Sequence, residues 1–248
     1  MRVIEFIITE ASSSLVAIIV TSILSVATTV AGGIRIRRSK ARLIHQINKD
    51  KQLLTAITIR RVKCPRSPGR TSVAEMEAFI GLKPIIKDKM EFKLVLEDDV
   101  YEDKNLLVLG SPVANATSRR AFQKLKKLPL ELDLVYDPTP SNPRNIRMLN
   151  HQPYNAEYFG DGTVKRDYAL IVKCQNPFPK NTNKKIIILA GLHAPGTKVA
   201  ASALSGKISK EIWKKVKSND FYAIIKVDMN EEGAIISESL QKAELLNE

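Results

Sequence analysis

The feature that most limits what this chain can become is an uncharged stretch from residue 11 to residue 34. At about 1.5 Å per residue, a helix of this length reaches across the ~30 Å hydrocarbon layer of a membrane. Serines and threonines interrupt the stretch, but their hydroxyls can bond to the helix's own backbone. We therefore predict a single transmembrane helix at residues 11–34, within an N-terminal segment of residues 1–34.

A cleaved signal peptide is the competing interpretation, because a small-residue site suitable for cleavage lies near residues 27–31 of the stretch. Its start should be basic, yet Glu5 and Glu10 offset Arg2. Basic residues come directly after the span, and positive flanks stay in the cytoplasm. We expect a cell-membrane protein with its N-terminus outside and its C-terminal domain in the cytoplasm, and cleavage stays an open alternative.

Small residues recur every four positions along the span, at Ala17, Thr21, Ser25, Thr29 and Gly33. This spacing lets two span helices approach each other closely, and it indicates a homo-oligomer. Small residues are also common in spans that do not associate, so both interpretations remain open.

Residues 35–70 form a basic juxtamembrane neck and hinge, with twelve lysines and arginines and one acid, Asp50. The formal net charge of +13 comes almost entirely from this neck. A polybasic segment beside a span is expected to contact the anionic headgroups of the lipid bilayer. No aromatic side chain lies in residues 35–70 to stack on bases, which argues against nucleic acid as a partner. We predict helix through about Leu54, and a hinge at the proline- and glycine-containing residues 64–69.

Two parts of the remaining chain, residues 71–248, repeat one plan. Apolar runs at residues 105–109 and 185–190 are each followed by a glycine loop and a helix-forming segment. Such runs are typical of strands covered on both faces, and strand–turn–helix is the unit of open α/β sheets. The sequence predicts a cytosolic α/β domain that is three-layered and Rossmann-like, with a mixed, mainly parallel sheet.

Shorter patterns predict the other elements. Strands are expected at residues 91–96, 130–136, 146–149, 168–174, 222–227 and 234–238, and residues 157–159 and 164–168 are expected to form the arms of a hairpin. Helices are expected at residues 71–80, from the first glycine loop to about 127, at 198–204, and from a cap at Ser209. Residues 138–154 are rich in proline and asparagine, and they are predicted to form a lid or an irregular edge.

Both glycine loops would lie beyond the carboxyl ends of their strands, where open α/β sheets bind ligands. Backbone amides at the start of the following helices favour anions there. We predict a ligand-binding site made of Gly110, Ser111, Asn115, Thr117, Ser118, Arg119, Arg120, Gly191, His193, Gly196, Thr197 and Lys198.

Two groups in this set carry most of the chemical argument. Arg119 and Arg120 fall near the start of a helix, where a cation opposes the helix dipole unless an anion is bound. His193 is the candidate catalytic residue, because it follows the second strand directly and histidine is a common general acid or base in enzymes. The alternatives stay open: the first-loop residues only cap the helix, the arginines pair with the acids of residues 97–103, and His193 is structural.

Neither loop matches a dinucleotide fingerprint or a P-loop, so the sequence predicts no cofactor. Three scattered histidines and two cysteines predict no metal centre. Spacing gives no support to a triad of Ser111, His193 and Asp161, and Cys174, at the end of an apolar strand, is expected to be a buried thiol.

A span joined to a domain of this kind resembles, in layout alone, membrane-tethered nucleotide sensors or effectors. We expect the domain to bind a nucleotide or another phosphorylated small molecule in the two-loop crevice. The alternatives are a membrane-tethered hydrolase of such a ligand that uses His193, and a non-enzymatic membrane docking platform.

Overall fold

An eight-stranded mixed sheet lies at the centre of the fold. The computed structural model describes residues 53–58, 73–82, 90–95, 105–125, 128–133, 138–148, 151–178, 183–217 and 219–246. The strands are β1 (Leu53–Thr58), β2 (Met90–Val95), β3 (Asn105–Leu109), β4 (Leu130–Asp133), β5 (Asn145–Met148), β6 (Tyr154–Asn155), β7 (Glu157–Tyr158), β8 (Val164–Gln175), β9 (Lys185–Gly191), β10 (Phe221–Met229) and β11 (Ile235–Leu245). The helices are α1 (Val73–Leu82), α2 (Ala116–Lys124), α3 (Ala194–Ser202) and α4 (Lys207–Val216).

The large sheet has the strand order β11-β10-β8-β9-β3-β1-β2, and the short β7 pairs with β8. Strands β2, β1, β3 and β9 are parallel to their neighbours in this series. Strand β8 runs antiparallel to β9, β10 and β7, and β11 runs antiparallel to β10. The predicted α/β architecture with a mixed sheet is therefore confirmed, with parallel pairing concentrated in one half.

The apolar runs form strands that are buried on both faces, as expected. In β3, Leu107 and Leu109 pack on one side of the sheet, and Leu106 and Val108 pack on the other. Because successive side chains of a strand point to opposite faces, a continuous apolar run fits only a strand covered from both sides.

Different elements cover the two faces of the sheet. Helices α1, α3 and α4 contribute buried residues to the core on the first face. Helix α2 and a separate small antiparallel sheet of β4, β5 and β6 contribute to the core on the second face. Helices therefore lie on both sides of the large sheet.

The prediction of helix through about Leu54 is wrong at its last two residues, and the rest of that predicted helix lies outside the described residues. Leu53–Thr58 forms β1, which pairs with β2 on one side and β3 on the other. A domain that begins at residue 71 would lack this inner strand, so the domain boundary lies earlier in the chain than expected. Leu53 and Leu54 fit the apolar face of an amphipathic helix, but pairing with two neighbouring strands makes them part of the sheet.

Three further boundaries differ from the prediction. Helix α3 begins at Ala194, with Pro195 in its first turn, because proline is tolerated where amides have no partner within the helix. Helix α4 is capped by Gly206 rather than Ser209. Within residues 138–154, the structure has β5 and the start of β6 rather than only irregular chain.

Strand β11 is an outer strand of the sheet and contains two irregularities. Its pairing with β10 shifts register between Ile224 and Ile225 and again between Asp228 and Met229. Gln241 and Ile236 consequently have no opposite residue on β10. Each extra residue bends the strand and interrupts its ladder of hydrogen bonds.

The predicted span at residues 11–34 lies outside the described residues, as do most of the residues of the basic neck. None of the helices in the described ranges has both the length and the apolarity that a membrane crossing requires.

Candidate functional site

The two predicted glycine loops are neighbours in the fold. Strands β3 and β9 pair in parallel, with Leu109 opposite Leu189. The Gly110 amide then donates to the Leu189 carbonyl at 2.9 Å, so the first loop starts beside the end of β9. Helix α2 follows β3 onto one face of the sheet, and α3 follows β9 onto the other. Adjacent parallel strands whose helices diverge in this way create a crevice at their carboxyl ends.

The first loop turns sharply against α1. Gly110 has a φ of 107°, in the region that favours glycine. A Cβ at this position would collide with the carboxylate of Glu75, which is buried in the first turn of α1. The loop therefore needs glycine both for its backbone conformation and for space.

Asn115 caps α2 and ties it to the end of β3. Its side-chain oxygen accepts from the Ser118 amide at 3.0 Å, and its Nδ2 donates to the Leu109 carbonyl at 2.8 Å. The residue is fully buried, so capping accounts for its place in the sequence.

The other first-loop residues divide into a buried and an outer group. Ser111, Thr117 and Ser118 are buried, and among the described residues the Ser118 hydroxyl has no hydrogen-bond partner. Arg119 is exposed and donates from Nε to the Pro112 carbonyl at 2.9 Å, within its own loop. The first turn of α2 contains no acidic residue. The acids of residues 97–103, with which the arginines were alternatively expected to pair, lie outside the described residues.

The second loop packs closely on itself. The Thr197 hydroxyl accepts from the Gly191 amide at 3.0 Å. A Cβ on Gly191 would collide with the backbone of Gly196 and Thr197. Lys198 points elsewhere, because its Nζ lies 3.1 Å from Glu77 of α1 and both side chains are about half exposed.

The amides that begin α3 already have an anionic partner within the chain. The Gly196 amide donates to Asp167 Oδ2 at 2.7 Å, and the His193 amide lies 3.2 Å from both carboxylate oxygens. Asp167 comes from β8 and is fully buried. Its carboxylate therefore takes the position in which a ligand's phosphate was expected at this helix.

His193 connects Asp167 to Tyr158. Its Nδ1 lies 3.3 Å from Asp167 Oδ1, and its Nε2 lies 3.0 Å from the Tyr158 hydroxyl. An ionised carboxylate only accepts hydrogen bonds, so in the neutral imidazole Nδ1 carries the proton and Nε2 accepts from Tyr158. The two rings meet edge to face with centroids 5.6 Å apart. This arrangement holds the imidazole in one tautomer and one orientation.

Arg144 completes the cluster from the second face of the sheet. Its guanidinium donates to the Leu192 carbonyl at 2.8 Å, directly before His193. Burial raises the pKa of Tyr158, and the backbone amide and charge of Arg144 oppose that rise. The phenol is therefore neutral near pH 7 and needs a base if it is to react.

An ion-pair network borders this cluster on β7, β8 and β10. Arg166 lies between Glu157 and Asp228, with its Nε 2.8 Å from Asp228 Oδ1. Burial alone would raise the pKa of Asp228, but hydrogen bonds from Arg166, Ser237 and Lys226 lower it to about 2.

The structure thus brings His193, Gly191, Gly196 and Thr197 together, and it places Ser111 and Asn115 in the adjoining loop. Asp161 lies instead in the β7–β8 turn, where it accepts from Thr163. Cys174 is buried, and burial raises the pKa of its thiol to about 12.

Sequence reasoning missed Asp167, Tyr158, Arg144 and Glu75. One signal was present for Asp167, since it is an acid at the start of an apolar strand, and buried charges require partners. Comparison with known protein families finds no family model that matches, and comparison with curated proteins finds no significant relative.

Proposed function

We propose that this chain is a single-pass membrane protein whose α/β domain binds a nucleotide or another phosphorylated small molecule as a sensor or effector. The observation that carries the proposal is the divergence of α2 and α3 from the adjacent parallel strands β3 and β9. Open α/β sheets bind their ligands at this kind of position.

Within the crevice, the α2 side is the better place for a phosphate. Asp167 already accepts from the first amides of α3. Helix α2 instead begins with no acid in its first turn, and Arg119 and Arg120 are its fourth and fifth residues after the cap Asn115. A cation near a helix N-terminus opposes the helix dipole, and an anion bound at that terminus offsets this cost.

The membrane part of the proposal depends on the uncharged residues 11–34 and the basic residues that follow. Its test is fractionation of cells that express the full chain. Retention in the membrane pellet after alkaline carbonate washing supports a spanning helix, and release by that wash contradicts it.

Ligand binding is tested on the full chain purified in detergent, because removal of residues 1–70 would delete β1. The unfolding temperature is measured with a panel of nucleotides and phosphorylated metabolites. A ligand at a hundred times its Kd adds about 2.7 kcal/mol to the unfolding free energy and raises that temperature clearly.

The variant Arg119→Ala/Arg120→Ala is expected to lose most of this ligand-induced rise. Its matched control is Lys214→Ala/Lys215→Ala, which removes two exposed cations from α4 and should keep the rise. A chain that no member of the panel stabilises contradicts the proposal.

The second candidate is a membrane-tethered hydrolase of such a ligand, with His193 as its acid–base group. The hydrogen bonds that orient the imidazole favour this candidate, since a general base needs a fixed position. It predicts turnover that disappears in His193→Ala while the unfolding temperature stays near that of the wild type. Retained turnover in that variant removes His193 from the mechanism.

A further inference from the structure

We propose that Tyr158 is a nucleophile that His193 activates as general base and Asp167 positions, and that it acts on a phosphate ester. The nature of the substrate rests on the hydrolase form of the proposed function. The nucleophilicity of Tyr158 rests on the geometry of the three side chains alone.

The three side chains follow the order of contacts that defines an activated nucleophile. A hydroxyl lies within hydrogen-bond distance of a base, and a third group orients that base. Here the Tyr158 hydroxyl is 3.0 Å from His193 Nε2, and His193 Nδ1 is 3.3 Å from Asp167. With its proton on Nδ1, the imidazole presents the lone pair of Nε2 to the phenol, as proton transfer from Tyr158 requires.

The orienting carboxylate is itself held firmly. Asp167 accepts from its following backbone amide, that of Tyr168, at 2.8 Å, and from the amides of His193 and Gly196. It is fully buried, whereas Tyr158 is only partly buried. In this Tyr158–His193–Asp167 relay, the fixed carboxylate therefore lies inside the domain, and the reactive phenol lies toward the surface.

The position of the relay matches that of a catalytic site. His193 directly follows β9 and Leu192, beyond the carboxyl end of a parallel strand in the sheet. Tyr158 reaches the imidazole from β7, and Arg144 supplies a cation and a backbone amide beside the phenol oxygen. Both Arg144 groups would stabilise negative charge that develops there.

The phosphoryl transfer needs only the substrate and these side chains, and the return to the free enzyme needs water. The Tyr158 oxygen attacks phosphorus, so an O–P bond forms while the bond from phosphorus to the leaving oxygen breaks. The phenol proton moves to His193 Nε2 and then to the leaving oxygen, which departs as an alcohol. Water then attacks phosphorus, so a new O–P bond forms while the bond from phosphorus to the Tyr158 oxygen breaks. His193 Nε2 takes a proton from the water and returns it to the Tyr158 oxygen, and inorganic phosphate departs.

Reactivity is tested with phenylmethanesulfonyl fluoride, which modifies activated hydroxyls and carries no phosphate. The full chain is treated in detergent, and the modified peptides are quantified by mass spectrometry over time. Tyr154 is partly buried like Tyr158, its ring centroid lies 5.3 Å from that of Tyr168, and it serves as the internal reference. We expect Tyr158 to be sulfonylated at least about tenfold faster than Tyr154, given the usual contribution of a general base.

The variants separate activation from a structural role. His193→Gln should slow modification of Tyr158 by at least about tenfold, whereas Tyr154→Phe should leave it unchanged. In Asp167→Asn the imidazole nitrogen chemical shifts should report loss of the Nδ1–H tautomer, together with slower modification. Circular dichroism and thermal unfolding establish that each variant is folded.

Equal rates of sulfonylation at Tyr158 and Tyr154, or an unchanged rate at Tyr158 in His193→Gln, would overturn the assignment of Tyr158 as a nucleophile. Because phenylmethanesulfonyl fluoride needs no phosphate-binding site, that result is independent of whether nucleotides bind. Incubation with p-nitrophenyl phosphate followed by an acid quench should leave a phosphoryl group on Tyr158. A reactive Tyr158 that never gains this group would overturn the assignment of a phosphate ester as substrate.

Discussion

Asp167 accepts hydrogen bonds from His193 twice, at the backbone amide and at the imidazole Nδ1. One buried carboxylate therefore both caps α3 and orients the side chain that precedes it. These two tasks make Asp167 the residue on which the local structure of the candidate site depends most.

Replacing Asp167 with asparagine should destabilise the protein. The amide keeps one oxygen acceptor but removes the negative charge from the start of α3, and its NH₂ group faces backbone donors. We expect a loss of about 1–3 kcal/mol, measured by urea unfolding. The control Asp161→Asn keeps an acceptor for the Thr163 amide at an exposed turn and should change stability little. Equal effects of the two variants would show that Asp167 has no special role.

Gly191→Ala should be much more harmful than alanine at an open glycine. A Cβ at position 191 meets the backbone of Gly196 and Thr197, which cannot move without shifting α3. We expect a loss of about 3 kcal/mol or more, or failure to fold. Gly81 has open space around it within α1, so Gly81→Ala should stabilise the chain by about 0.5–1 kcal/mol. Thermal unfolding of both variants checks the contrast, and similar unfolding temperatures would contradict it.

Lys173 should make stability rise with pH in the alkaline range. Its side chain is buried in β8, and burial lowers its pKa from 10.5 to about 8. Between these values the unfolded chain binds more protons than the folded chain, so unfolding becomes less favourable as pH rises.

Lys173→Met removes this dependence. We expect the variant's stability relative to the wild type to fall by on the order of 3 kcal/mol between pH 8 and pH 10.5. Urea unfolding across that range checks the trend. Lys165→Met, at an exposed position of the same strand, serves as the matched control. A constant difference for Lys173→Met would contradict the prediction.

The Arg166–Asp228 ion pair should contribute less to the free energy of unfolding in acid. The pKa of Asp228 is about 2 in the folded chain, against an ordinary 3.8. Its stabilising contribution is complete above the ordinary value and is lost as pH falls toward 2. Arg166→Met should therefore be less stable than the wild type at pH 6, and this deficit should shrink between pH 4 and pH 2. The exposed Lys210→Met serves as control, and a deficit that persists at pH 2 would rule out this account.

The elements that the sequence predicted well are those whose pattern is local. Residues 106–109 and 186–190 are uniformly apolar and are followed by glycine, so strand, turn and following helix could be recognised without knowledge of their partners. Residues 53–58 lie among basic residues whose charges obscure the short apolar pattern. Their strand is defined by pairing with β2 and β3, which no local pattern reveals.

The candidate site shows the same limit. His193 could be selected because it directly follows a predictable strand. Its partners Asp167 and Tyr158 lie 26 and 35 positions away along the chain. They reach it only because β8 pairs with β9 in one register and β7 folds back on β8. A shift of one residue in that register would turn Asp167 to the opposite face of the sheet.

The two register shifts in β11 have a consequence for how copies of this protein meet at high concentration. An outer strand of eleven residues is long enough to recruit another chain by backbone hydrogen bonding, which is how many aggregates start. Ile236 and Gln241 divide that strand into short segments whose free hydrogen-bonding groups do not form one continuous row. An approaching strand would find only brief stretches to pair with, so this long rim can stay exposed in a crowded cell without acting as a template.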